Sequence, residues 1–466
     1  MTVLANATLL QFGPPKVEPG MDIVIDSGII QAAGKGIAAD YPPDSRRDLY
    51  GKIVMPGLVC SHNHFYSGLA RGIMANIKPS TDFVSQLRNL WWKLDRALDE
   101  ESLYYSSIIC ALESIKAGTT AVIDHHSSQN YIGGSLCTLR RGFEEAGLRG
   151  VLCFEVTDRN GAAKMEEGIE ENISFVRMME EAVAEEAASG PLTSPSDAGD
   201  VPGAQGRTIV PGERPLVRGM FGGHAPFTVP DGALKQIADA AEKAGKGFHI
   251  HTAEDAYDQS HSHGVYGKDL LERLDEFGLV NDKSIFAHGL FFTGRDREIL
   301  NSRDAYLVHN CRSNMNNTVG YNHHLQDINN NALGTDGIGS NMFEEFTTAF
   351  FKHRDAGGPL WPDSFLAYLQ NGNILMERHF GGRFGRIKAG YAADLVVLDY
   401  QSPTPLEPEN IGGHIAFAMA SRDVHTVIID GVVVYENRTF PGRVDEIYCE
   451  AQQAASKLWK RMDELS

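Results

Sequence analysis

Two histidine pairs, each separated by one residue, carry the strongest chemical signal in the chain. His62-Asn63-His64 follows the apolar run Leu58-Val59-Cys60, and His249-Ile250-His251 ends a second apolar run, with Glu254 three residues further on. Along an extended strand, side chains i and i+2 point to the same face, so each pair presents both imidazoles together. His288 closes the run Phe286-Ala287-His288, and Asp336 closes Leu333-Gly334-Thr335-Asp336. Imidazole and carboxylate are the donors of a catalytic divalent ion, which keeps one position open for water. Each residue alone has a bland reading, because a strand-end histidine satisfies a loop carbonyl and a strand-end aspartate caps a helix. Together, three histidines and an aspartate can close around one ion, provided the strand ends meet in space.

The intervening pattern supplies such a meeting point. Apolar strand candidates occur at 53–60, 119–124, 150–156, 217–224, 247–253, 284–290, 305–310 and 331–336, with helical patterns between them at 100–118, 136–147 and 229–245. Eight strands alternating with helices predict an α/β fold, a (β/α)8 barrel whose strand C-termini converge on one mouth. An open doubly wound sheet is the competing arrangement, but no glycine-rich phosphate loop follows the first strand.

The two ends of the chain read differently. VLANATLLQF and MDIVIDSGIIQAAG near the start, then ADLVVLDY and VHTVIIDGVVVYENRTF near the end, are β-rich, with turns expected at Ser27-Gly28 and Asp430-Gly431. Residues 1–54 and 386–442 are therefore expected to form a composite small β-sandwich domain. Residues 55–385 would form the barrel, and 443–466 a helix packed outside it. Residues 165–188 read as an acidic helix. The Gly-, Pro- and Ser-rich stretch 189–215 reads as a long surface loop, either decoration or a lid.

Composition narrows the function. The 466 residues include 42 Lys+Arg against 61 Asp+Glu, a formal charge of −19, which disfavours nucleic acid and anionic membrane as partners. No run of apolar residues is long enough to span a bilayer. Six scattered cysteines without a Cys-x-x-Cys, and no leader-like N-terminus, give the expectation of a cytoplasmic protein with free thiols.

With these residues in place, the chain resembles the amidohydrolase superfamily, in its deaminase/chlorohydrolase branch. The matching stretches are MPGLVCSHNH, AGTTAVIDHH, GHAPFT, HIHTAE, FAHG, HNCRSN and LGTDG, then GRIKAGYAADLVVLD, in order along nearly the whole chain. The context LWWKLDRALDEE with HNHFYSGLARG is most similar to the SsnA group of aminohydrolases. The resemblance implies His62, His64, His251 and Asp336 as metal ligands, Glu254 as proton shuttle and His288 as the residue that positions the metal-bound hydroxide. His249 would then support the site from behind. Binuclear relatives carry a carbamylated lysine on the fourth strand, and Val217–His224 has no lysine, so one divalent ion is expected. Zinc is the default, with Fe2+ or Mn2+ as alternatives that such ligands discriminate poorly. Arg71, His125, His224, His309 and Arg312 would face the substrate, with Ser313 and Asn314 beside them and Trp91 and Trp92 either capping the pocket or simply packed as core. His261 and His263 read as loop decoration. A homodimer is expected by the same resemblance.

The implied chemistry is self-consistent. A dication lowers the pKa of bound water to about 7, providing hydroxide at neutral pH. Attack on an sp² ring carbon then requires protonation of a ring nitrogen and of the leaving amine, tasks for Glu254 and Asp336. Hydrolytic deamination of a purine-, pterin- or similar N-heterocycle is the leading expectation. Ring opening of a cyclic amide or amidine uses the same residues, and a non-catalytic binding barrel is the third alternative.

Overall fold

The computed structural model describes residues 1–73, 85, 87–189 and 215–465. Most of the stretch 189–215 lies outside the described residues. Eight consecutive parallel strands form the barrel: Leu58–Asn63, Thr119–His126, Arg149–Val156, a broken fourth strand (Val217–Gly219 and Phe221–Gly223), Phe248–Thr252, Ile285–His288, Tyr306–His309 and Asn331–Leu333. The seam closes where Asn63 bridges Asp336 in parallel, and the Thr335 and Asp336 amides both donate to the His62 carbonyl, at 2.9 and 3.1 Å. Asn63, between the two histidines, also donates to the Thr335 hydroxyl at 2.6 Å. The middle residue of the first motif therefore staples the barrel shut.

Two expected strands differ in detail. The stretch 53–60 divides at Gly57: Ile53–Pro56 belongs to the terminal sheet and Leu58–Asn63 to the barrel. A Cβ on Gly57 would lie 2.0 Å from Thr120 Oγ1, so the chain crosses between the two bodies where only glycine fits. The fourth strand breaks at Met220, and its two halves pair with the third strand, the second half also with the fifth.

The terminal sheet is one hydrogen-bonded network of eight strands drawn from both ends of the chain. Ile53–Pro56 pairs in parallel with Thr2–Phe12 and antiparallel with Leu395–Leu398, joining the two halves. Ser27-Gly28 and Asp430-Gly431 adopt positive φ (48°, 72° and 51°, 75°), the twist that a two-residue hairpin needs. Leu9, Ile23, Ile30, Val54, Leu395 and Ile428 pack into one core beneath that sheet.

Helices wrap the barrel in the expected order. Glu100–Lys116 starts at a capping box, with the Asp99 side chain accepting from the Ser102 amide while Ser102 Oγ accepts from the Asp99 amide. The helices Ser135–Ala146 and Asp231–Ala244 end at left-handed Gly147 and Gly245. His261 and His263 lie on the helix Ala256–Tyr266 rather than in a loop. The tail helix Val444–Glu464 docks near the first barrel loop, where Trp459 Nε1 donates to the Leu69 carbonyl at 2.8 Å and Arg461 to Ala97 at 2.7 Å. No described helix is long and apolar enough to cross a membrane.

Candidate metal centre and active site

The barrel mouth brings His62, His64, His251 and Asp336 to one point. His64 Nε2 lies 2.7 Å from Asp336 Oδ1 and 3.1 Å from His251 Nε2, and His62 Nε2 lies 3.4 Å from Asp336 Oδ1. Each imidazole is anchored through its other nitrogen. His64 Nδ1 donates to the His125 carbonyl at 2.5 Å and His251 Nδ1 to the His224 carbonyl at 2.8 Å. His62 Nδ1 meets His249 Nε2 at 2.8 Å, which places His249 behind the first histidine pair. With every Nδ1 occupied, the Nε2 atoms are left to converge, the arrangement by which outer partners orient metal-binding histidines.

These residues fit one divalent ion. His62 Nε2 is sealed from solvent yet has no hydrogen-bond partner, as expected of a donor meant for something other than protein. Zinc–nitrogen bonds of about 2.0–2.1 Å at tetrahedral angles place their nitrogens about 3.3 Å apart, close to the spacings found. Ligand atoms of His62, His251, His288 and Asp336 all lie within 4.8 Å of one another.

The electrostatics agree. Burial pushes His62 down to about 3 and holds His251 well below the usual imidazole range, so both are neutral donors. Burial opposes charge on His64 too, but Asp336 and Glu155 outweigh it and push that ring up to about 10. Burial also opposes charge on Asp336, yet His64 and His62 hold its carboxyl well below the carboxylate range. Opposite charge therefore holds the buried His64–Asp336 pair together.

Glu254 and His288 stand over this centre. Glu254 Oε2 is 3.6 Å from His288 Nε2, its Oε1 accepts from Asn317 Nδ2 at 3.2 Å, and burial raises its carboxyl. His288 Nδ1 meets Asn314 Oδ1 at 2.7 Å. Ala253, His288 and Asp336 all hold positive φ (50°, 76° and 52°), so the backbone is strained where the strands end, as is common at functional sites.

A cleft of about 370 Å³ opens above. Its lining includes His64, His251, Glu254 and Asp336, with aromatic walls from Tyr66, Trp91, Trp92, Phe227 and Tyr257. His224 also lines it, with Nδ1 2.9 Å from the Thr228 hydroxyl.

Four residues expected to face the substrate have other partners among the described residues and do not line that cleft. Arg312 is consumed by Glu345 (2.7 Å), Glu344 (2.9 Å) and the Gly339 carbonyl (2.8 Å). Arg71 is half-exposed, 3.9 Å from Glu113, outside the described lining. His309 is sealed beside the Tyr321 ring, and His125 is stacked 4.5 Å from the His249 ring beneath the ligands. Residue type and strand-end position could not reveal these local partners.

Other residues enter the site unannounced. Glu155, at the end of the third strand, lines the cleft with Oε1 3.4 Å from both His64 Nδ1 and His125 Nδ1, and burial pushes it up to about 7. Asp95 accepts from Arg159 Nη2 at 3.0 Å, and that guanidinium lies 4.9 Å from the Trp92 ring. A carboxylate at a strand end was the available signal for Glu155; Asn317 and the Asp95–Arg159 pair had none.

A parallel barrel with histidine and carboxylate donors at its C-terminal mouth defines a metal-dependent hydrolase architecture. The sequence profile of the amidohydrolase family matches residues 53–434, and the chain belongs to that family. A 5-methylthioadenosine/S-adenosylhomocysteine deaminase from Pelotomaculum thermopropionicum is 30% identical over 478 residues, covering 98% of this chain and 99% of that protein. A 5'-deoxyadenosine deaminase from Methanosarcina mazei is 26% identical, covering 99% of each. In fold, the chain is similar to a zinc-bound adenosine deaminase from Xanthomonas campestris, with a TM-score of 0.79 over 98% of both chains at 23% identity.

Proposed function

We propose that the protein hydrolytically deaminates an amino-substituted N-heterocycle of the purine type, using one divalent metal ion, zinc by preference. The observation that carries this reading is the convergence of three Nδ1-anchored histidines and Asp336 beneath a cleft with aromatic walls. Such walls suit a flat ring, and relatives spanning nearly the whole chain are named as deaminases of adenine-containing compounds.

His62, His64, His251 and Asp336 would hold the ion, which supplies a water acidic enough to ionise at neutral pH. Glu254, kept protonatable by burial, takes up the water's proton and delivers it to the ring nitrogen beside the reacting carbon. His288 orients the attacking oxygen from the sixth strand. Asp336 relays the second proton to the departing amine, which leaves as ammonia. Trp91, Tyr66 and Phe227 hold the ring flat and exclude bulk water.

The test is a screen of the metal-loaded protein against amino-purines, their nucleosides and pterins, reading ammonia and product mass together. Ammonia with a mass gain of about 1 Da marks exchange of amine for oxygen. A gain of about 18 Da without ammonia marks ring opening and would replace the reading.

A further inference from the structure

The segment after the seventh strand does more than connect. Its short helix Cys311–Asn316, ending at Asn317, places three buried polar side chains on one turn: Ser313, Asn314 and Asn317. Ser313 Oγ donates to Asp336 Oδ2, Asn314 Oδ1 meets His288 Nδ1 at 2.7 Å, and Asn317 Nδ2 donates to Glu254 Oε1 at 3.2 Å. Asn317 Nδ2 also lies 3.3 Å from Ser313 Oγ, which ties the turn together. Residues three and four apart are neighbours on a helix, so 313, 314 and 317 form one surface. The three targets come from three different strand ends, the eighth, sixth and fifth.

We propose that this single turn is a positioning element for Glu254, His288 and Asp336, with Asn314 fixing the tautomer of His288. The proposal rests on the roles given to these three residues above. Sealing a polar side chain is costly unless its hydrogen bonds are made. The bonds these three side chains make to strand ends go to the working groups of the site, although Asn314 Nδ2 is sealed without a partner. An amide oxygen can only accept, so His288 Nδ1 is the donor in its bond to Asn314 Oδ1. Nε2 is left without a hydrogen-bond partner, 3.6 Å from Glu254 Oε2. One element holding all three groups keeps their spacing fixed even though they sit on separate loops.

The test uses the metal-loaded full chain carrying Asn314→Ala, Asn314→Asp or Ser313→Ala. Asn314→Ala should keep its metal and unfolding midpoint while kcat falls about 10–100-fold, the usual cost of losing such a partner. KM should change less than about twofold, because the turn acts on the reaction and not on binding. Asn314→Asp preserves the acceptor and should recover most of the loss. An unchanged kcat in Asn314→Ala, or an aspartate variant as impaired as alanine, would overturn the proposal. A second readout needs no substrate: ¹⁵N-histidine spectra should show His288 protonated at Nδ1 in the wild type and as a tautomer mixture in Asn314→Ala. Identical spectra would overturn the tautomer claim, whereas absence of ammonia from every heterocycle would count against the deaminase reading alone.

Discussion

Nε2 of His64 and Oδ1 of Asp336 lie 2.7 Å apart, although one follows the first barrel strand and the other the last. Three of the four proposed metal donors, His62, His64 and Asp336, therefore flank the seam that closes the barrel. Beside them, the Asn63–Asp336 bridge and the two amides on the His62 carbonyl are the hydrogen bonds of that seam. The proposed site and the closure of the barrel therefore share residues.

Metal removal should consequently loosen the fold as well as stop turnover. A ligand that binds only the native state at 100 times its Kd adds about 2.7 kcal/mol of stability. Chelation should lower the unfolding midpoint and accelerate hydrogen exchange at the Thr335 and Asp336 amides more than at the fifth and sixth strands. Uniform exchange changes across the barrel would show that the seam is not the coupled element.

Separating ligand from proton carrier gives a second prediction. His251→Ala removes a donor and should lower metal content in elemental analysis. Glu254→Gln keeps the cleft's shape and should retain the metal while turnover falls roughly 10²–10⁴-fold, the usual worth of general acid–base catalysis. Near-normal turnover in the glutamine variant would move the shuttle to another residue.

Much of this was legible because strand-end residues must face the barrel mouth. The alternating pattern placed the eight strands, and His-x-His fixed which imidazoles share a face. The break at Gly57 was hidden, since a continuous apolar run does not say where one sheet hands over to another. The partners of Arg312 were hidden for a similar reason. Glu344 and Glu345 lie on the helix Met342–Asp355, and no local pattern pairs an arginine just after one strand with a helix beyond the next. Asn317 carries no chemistry as a residue type until Glu254 is seen above it.

The aromatic wall can be moved without touching the metal. A Cβ on Gly337 would lie 2.3 Å from Trp91 Cη2, so Gly337→Ala must displace the indole. KM for a flat heterocycle should rise several-fold, on the scale of about 1 kcal/mol for a lost aromatic contact, with metal content unchanged. An unaltered KM would remove Trp91 from the binding surface.

At the opposite end of the barrel, Arg149 ties the third strand to the terminal sheet. Its guanidinium, 3% exposed as a residue, pairs with Asp394 at 2.8 Å and Asp430 at 3.1 Å. Breaking a buried pair leaves an uncompensated charge and costs about 3–5 kcal/mol. Arg149→Ala should lower the unfolding free energy from denaturant titrations by that amount while leaving kcat and KM of the folded fraction unchanged. A loss below about 1 kcal/mol would place this link among surface-grade ion pairs.

Asp258 gives the pH dependence its sign. Its Oδ2 accepts from the Ala253 amide at 2.7 Å, its Oδ1 is sealed without a partner, and burial, reinforced by Glu254 and Asp255, pushes its carboxyl up to about 8. In the unfolded chain the same group ionises near its ordinary value of about 3.9. Below that pH both states hold the proton and Asp258 imposes no penalty. Between about 4 and 8 the unfolded state binds fewer protons than the native state, so stability falls as pH rises, and above 8 the full loss is present. Glu155 and Asp124, both pushed up to about 7 by burial, add to the same decline. The contribution of Asp258 is isolated by comparing wild type with Asp258→Asn, which keeps the acceptor for Ala253 but cannot ionise. The stability of the variant relative to wild type should rise steadily from pH 5 to pH 8 in urea titrations. A difference that stays flat across that range would mean that Asp258 is already ionised in the native protein.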